Sequence, residues 1–187
     1  MLKRNCKALC FSQDYRGKWG CASSAMWAHY GGNHTGVCLE LDKEEFEREN
    51  PNIDWKYFRK IKYVEYKIPH RQVGEQRNPF DHKKIDFIRA NKIGLKNYVL
   101  NEFKLENLNY FYFTKNKEWQ YERETRLVIF GDQKKKVYCC IKNSLKNIHL
   151  GVKFNDKHLP SLKALVNGVN INKMKYGDIS LYSEELA

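Results

Sequence analysis

The spacing of apolar and polar residues changes period several times along the chain, and the changes mark out a mixture of strands and helices. Residues 6–14, "CKALCFSQD", are rich in strand formers and predict a strand near the N-terminus, followed by a loop, "YRGKWG", with two glycines. In "ASSAMWAHYGG", Ser23 or Ser24 can cap a short helix with Met26, Trp27 and Tyr30 on one side, and Gly31-Gly32 supplies a left-handed stop. "TGVCLELD" alternates as a strand does, with Val37, Leu39 and Leu41 on one face, and "KEEFERE" predicts a short exposed helix ended by Pro51. Residues 60–68 predict a half-buried strand, and the stretch from Pro69 to Asn78 a loop.

From about residue 80 to 113 the period is helical, with Ile85, Ile88, Leu95, Val99 and Phe103 as its apolar positions and Gly94 as a breakpoint. Strands are predicted over 125–131, 136–141 and 145–151. A helix beginning near Pro160 follows, with Leu159, Leu162, Leu165, Val166 and Val169 on one face. "INKMKYG" predicts a last strand, and residues from about 179 read as a weakly ordered tail. The sum is an α+β chain, a single domain with a mixed or antiparallel sheet core and several helices, without internal repeat or low-complexity segment.

Composition narrows the partners. A hydrophobic content of 42% over 187 residues is enough to build a core, and a formal charge of +12 favours phosphate-bearing partners or an anionic cofactor. The lysines are spread (Lys56, Lys60, Lys62, Lys67, Lys83, Lys84, Lys134, Lys135, Lys136), which fits a solvated surface as well as a nucleic-acid groove. The six cysteines form no C-x-x-C pair and no secretory segment opens the chain, so reduced thiols and a cytoplasmic location are expected. Cys10, Cys38, Cys139 and Cys140 lie in apolar runs and read as buried. No stretch approaches the roughly 20 apolar residues of a membrane span.

Two stretches carry candidate chemistry. In "FTKNKEWQYERETRLVIF", residues 113–130, Glu122, Glu124 and Arg126 alternate, so a strand that begins early would point all three to one face, either as a cleft wall or as a solvated sheet face. Close carboxylates separate each other's pKa values, and Arg126 would keep one of them ionised or clamp a phosphate. In "MWAHYGGNHTGVC", residues 26–38, His29 and His34 are spaced wrongly for a metal pair, so no metal site is expected, and Cys38 lacks a neighbouring cation to activate it. Ser12, at the end of the first strand, is placed either to touch a ligand or to cap a turn. Common hydrolase, NTPase and dinucleotide-binding motifs are absent from the sequence.

Taken together, "CFSQD", "MWAHYGGNHTGVCLELD", the 113–130 stretch and "LKNIHLGVKF" resemble a large bacterial family known only as a domain of unknown function. Its members read F-S, M-W-x-H-Y-x-x-x-H-x-G-V-C, K-x-x-x-W-x-Y-E-x-E-x-R and I-x-L-G-x-K in this order, and the resemblance covers nearly the whole chain. Members usually have a further N-terminal segment with a K-Y-R-like start and an N-D-P-F-like turn. This chain starts ten residues before Phe11 and is expected to be a short or an N-terminally truncated version.

A looser similarity links Ser12 and Glu122-Arg123-Glu124 to arginine-type ADP-ribosyltransferases. That resemblance implies a toxin or phage-defence enzyme that transfers ADP-ribose from NAD or hydrolyses NAD. Glu124 would be the ribose-side catalytic carboxylate, Glu122 the acceptor-side one, and Ser12 a support for Glu124 or the cofactor. The arginine of such enzymes has no clear match, since Arg4 lies at the terminus. Tyr30, His29, Trp27 and Arg126 would complete the NAD site, with a nucleic acid or a protein as acceptor. Two other readings stand beside it: a nucleic-acid-binding module of a defence system, and a non-enzymatic interaction domain. For residues 26–38 the expectation is a helix, a glycine turn and a strand, with Trp27 and Cys38 inside and His29, Tyr30 or His34 facing a cleft made by Glu122 and Glu124.

Overall fold

The computed structural model describes residues 6–65, 85–131, 136–178 and 181–186. The end of the strand expected over 60–68, the 69–78 loop, the start of the helical stretch near 80, Arg4 and the first residues of the tail lie outside the described residues. The elements are β1 (Cys6–Ser12), α1 (Ser24–His29), β2 (Val37–Leu41), α2 (Lys43–Glu49), β3 (Phe58–Lys60), β4 (Lys62–Val64), α3 (Phe87–Ile93), α4 (Leu95–Asn97), α5 (Lys104–Glu106), α6 (Leu108–Tyr112), β5 (Thr114–Asn116), β6 (Glu124–Phe130), β7 (Leu145–Leu150), α7 (Leu159–Leu165), β8 (Asn170–Tyr176) and β9 (Leu181–Glu185). The fold is α+β with antiparallel and mixed sheets, as the sequence predicts. No helix among the described residues is long and apolar enough to cross a membrane.

The chain packs as two compact units, each drawn from three separate stretches. One takes Met1–Phe11, Lys56–Gln120 and Glu124–Lys135; the other takes Ser12–Trp55, Tyr121–Arg123 and Lys136–Ala187.

In the first unit a three-stranded sheet of order β1-β6-β3 lies with a parallel β4–β5 pair. Ile61, Leu108, Tyr112, Phe113 and Val128 make its core, and Ala90, Tyr98 and Phe103 make a second cluster under the helices. The helical stripe read from the sequence does not hold throughout. Gly94, at φ +83°, ends α3, and a π-helical turn over Tyr98–Phe103 adds an extra residue to the turn, which resets the buried face. Ile88 is therefore 85% exposed and Leu95 and Ile85 are exposed too, while Tyr98 and Phe103 are buried. Lys104 is buried with its ammonium 3.9 Å from the Phe130 ring centre, a cation over an aromatic face.

In the second unit a four-stranded sheet runs β2-β7-β8-β9, antiparallel except for the parallel β7–β8 pair. The helix α7 connects β7 to β8, and its Leu159 and Leu162 pack with Val166 and Val169 against Ile148, Leu150 and Ile171 on one face of that sheet. Leu165, expected on the same face, is exposed. The helix-turn-strand expected from residues 26–38 is present as α1, the 30–36 turn and β2. Trp27 is buried with Met174 and Leu181, packs against Cys38, and donates its indole N–H to the Cys21 carbonyl at 2.6 Å. On β2 Cys38 turns inward against Trp27, as the sequence predicts, and Val37 and Leu39, on the other side of this edge strand, are exposed.

Three further expectations are corrected. Residues 136–141 form no strand: the Cys140 backbone N–H donates to Asn50 Oδ1 at 2.7 Å and its carbonyl accepts from Asn50 Nδ2 at 2.8 Å, so a side chain takes the place of a neighbouring strand. Cys10 and Cys140 are exposed. The stretch read as a loose tail contributes β9, paired antiparallel with β8 and anchored by buried Leu181.

Candidate functional site

In the second unit the strand end and the glutamate turn form one hydrogen-bonded piece. Ser12 Oγ donates to the Glu122 carbonyl at 2.8 Å, and Gln13 N–H donates to the Arg123 carbonyl at 3.2 Å. Arg123 has φ +47°, a left-handed conformation that a non-glycine residue adopts only at a strained turn, and its guanidinium donates to the Lys18 carbonyl at 3.1 Å. Glu122 is the last residue of a 3₁₀ turn and is only 2% exposed. Tyr30, just past the end of α1, donates its hydroxyl to Glu122 Oε1 at 2.7 Å. His29 lies 6.1 Å from the Tyr121 ring at a shallow 27° and 6.3 Å from Tyr30 in an edge-on arrangement. A buried carboxylate is costly unless it accepts hydrogen bonds, and Tyr30 supplies one of them.

The other glutamate belongs to the first unit. Arg126 grips Glu124 with both arms of its guanidinium, Nε to Oε1 at 2.6 Å and Nη2 to Oε2 at 2.9 Å, and its Nη1 donates to the Tyr112 carbonyl at 2.6 Å. Lys115 Nζ approaches Glu124 Oε2 at 3.3 Å, and the Glu124 N–H donates to the Tyr63 hydroxyl oxygen at 2.8 Å. Glu124 is 5% exposed. Burial pushes its carboxyl up, but the Arg126 fork, the Cys10 thiol and the Lys115 ammonium outweigh burial and hold it below the ordinary carboxylate range. Although Cys10 as a residue is exposed, its thiol is partly shielded from water beside Glu124, and that desolvation, then its hydrogen bond to this carboxylate, pushes the thiol up. Glu124 is thus an anion that stays ionised at neutral pH, already matched by two cations.

The alternation expected across Glu122, Glu124 and Arg126 is broken. The strand β6 begins only at Glu124, so Glu124 and Arg126 share a face as predicted, while the left-handed Arg123 takes Glu122 out of that register. Ser12, Tyr30, His29 and Glu122 come together. Trp27 and His34, by contrast, are buried in the packing of the second unit, their rings nearly parallel at 6.5 Å. Sequence reasoning missed Cys10, Tyr63, Lys115 and Tyr121. Tyr121 stands inside the quoted W-Q-Y-E run, whereas Tyr63 and Lys115 reach Glu124 from β4 and β5, contacts that only the strand pairing reveals.

Among known proteins, the family model described as protein of unknown function (DUF2971) matches residues 26–127, which take in the aromatic-histidine segment and the glutamate turn. No curated protein and no solved structure matches the chain. With the family model covering more than half of its 187 residues, the chain belongs to the DUF2971 family of proteins of unknown function.

Proposed function

We propose that the protein is a cytoplasmic enzyme that consumes NAD, as an ADP-ribosyltransferase or an NAD glycohydrolase of toxin or phage-defence type. The observation that carries this reading is the Ser12 to Glu122 hydrogen bond. It joins a strand-end serine to a Glu-x-Glu turn 110 residues away, the two features that resemble the transferases.

The chemistry asks for little more than held charge. The bond between nicotinamide and ribose breaks with its electron pair leaving on neutral nicotinamide, so positive charge grows on the ribose. Anions that need not reorganise lower that barrier. The carbon of the ribose then bonds to water or to an acceptor, whose proton is released. Glu124, kept ionised by Arg126, has the fixed charge that the ribose side needs. Glu122, oriented by Tyr30, is the acceptor-side carboxylate.

Nicotinamide release from NAD, followed by chromatography, tests the reading with wild type, Glu122→Gln, Glu124→Gln and Ser12→Ala. Wild type should cleave NAD, and Glu124→Gln should lower the rate about 100-fold or more, the scale of losing one preorganised charge contact. A wild-type protein that does not cleave NAD, or a rate that survives both carboxamide substitutions, overturns it.

A further inference from the structure

Just after Ser12 the chain makes a tight hairpin. Tyr15 and Lys18 exchange both backbone hydrogen bonds at 3.0 Å, and the two residues between them, Arg16 at φ +49° and Gly17 at φ +74°, have the left-handed pair of angles that closes a two-residue turn. The hairpin is tied down at both ends. Asp14 Oδ1 accepts from the Gly20 N–H at 2.6 Å, and the Lys18 carbonyl accepts from Arg123. Its side chains nevertheless face water: Tyr15 is 54% exposed and Trp19 57% exposed. The Arg16 guanidinium lies 5.0 Å from the centre of the Tyr15 ring.

We propose that the hairpin from Tyr15 to Trp19 is a binding element for single-stranded nucleic acid. Two large rings, each more than half exposed, and two cations stand within five consecutive residues. They match what an unpaired strand offers: a π-face on every base for Tyr15 and Trp19, and a phosphate on every nucleotide for Arg16 and Lys18. Asp14, the acidic residue just before the hairpin, already serves the turn through Gly20. A duplex hides its base faces in the stack, and an acidic peptide gives the rings nothing to stack on, so the single strand uses all four side chains. A net charge of +12 supports the same sign of partner, and the closed turn means that little chain entropy is lost on binding.

The hairpin is joined through Gln13 and Lys18 to the Arg123 backbone and guanidinium, next in sequence to Glu122. A base amino group or a hydroxyl of the strand is then the acceptor for the proposed transfer: it bonds the ribose carbon as nicotinamide leaves with the electron pair, and its proton is released. That last step rests on the reading of the previous subsection; binding of the strand does not.

Fluorescence anisotropy with labelled single-stranded RNA and DNA of about 12 nucleotides, the same sequences as duplexes, and free mononucleotides tests the inference on the full chain. The single strands should bind more tightly than duplex or mononucleotide, and binding should weaken steeply between about 50 and 200 mM salt. Tyr15→Ala and Trp19→Ala should each weaken it about tenfold, and Arg16→Ala should flatten the salt slope. Tyr182→Ala, an exposed tyrosine on β9, should change nothing. Binding that prefers duplex, or that is indifferent to Tyr15 and Trp19 in variants with unchanged circular dichroism, overturns the inference. Strand binding without NAD cleavage upholds the hairpin and sinks the enzyme; NAD cleavage without strand binding does the reverse.

Discussion

Replacing Arg126 by methionine keeps much of the side chain's bulk and deletes the fork that grips Glu124. What remains near the carboxylate is the Cys10 thiol and Lys115 at 3.3 Å, in a surrounding that leaves Glu124 5% exposed and Arg126 itself 19% exposed. Breaking a buried pair and leaving one charge behind costs about 3–5 kcal/mol, and the surviving lysine sets the expectation at the low end, about 3 kcal/mol. For a chain of this length that is a fall in Tm of roughly 6–12 °C.

The pH dependence gives the prediction its edge. In wild type the folded carboxyl sits below its unfolded value of 4.5, so its contribution is complete above that pH and is lost as pH falls through the folded value. In Arg126→Met burial is less opposed and the folded value rises, so the penalty is present at neutral pH and relieved as the acid protonates. The gap between the two proteins should thus be widest near pH 7 and close toward pH 4. Urea unfolding at both pH values measures it, and Glu124→Gln/Arg126→Met should recover part of the loss. A gap under 1 kcal/mol at pH 7, or one that does not change with pH, refutes the account of Glu124 as a charge held by Arg126.

Gly151→Ala should impair folding severely, because a β-carbon there would meet the His34 carbonyl oxygen at 2.1 Å and its carbon at 2.6 Å, both backbone atoms that cannot step aside; soluble expression and thermal unfolding report it. Thiol labelling at pH 8 followed by mass spectrometry should modify exposed Cys140 first and leave Cys21 and Cys38 nearly unreacted in the folded protein, since burial, ahead of neighbouring groups, pushes these two thiols up to about 12 and about 11.

The elements that the sequence predicts well are those whose determinants are local. The Asp42 carboxylate accepts from the Glu45 N–H at 3.0 Å and starts α2, and the glycines and left-handed turn after His29 stop α1 where the composition says they should. Errors arise where a distant side chain decides. Residues 136–141 have the residue types of a strand, yet Asn50 takes the Cys140 backbone groups that a strand would share. At the glutamates, period-two counting fails at one residue: Arg123 turns left-handed, which no composition rule anticipates for an arginine. Ser12, Tyr30, His29 and Glu122 were legible as members of conspicuous runs, whereas the partners of Glu124 depend on which strands become neighbours.

The interleaving of the two units limits how the protein can be dissected. The stretch matched by the family model starts inside α1 and stops at Leu127, in the middle of β6. A fragment cut to that stretch would lack β1, which lies beside β6, and β7, which lies beside β2, leaving both remaining strands with open hydrogen-bonding edges. The matched segment is therefore not a module that can be cloned, swapped or crystallised alone, and shortening the gene to it should yield aggregate instead of a smaller working protein.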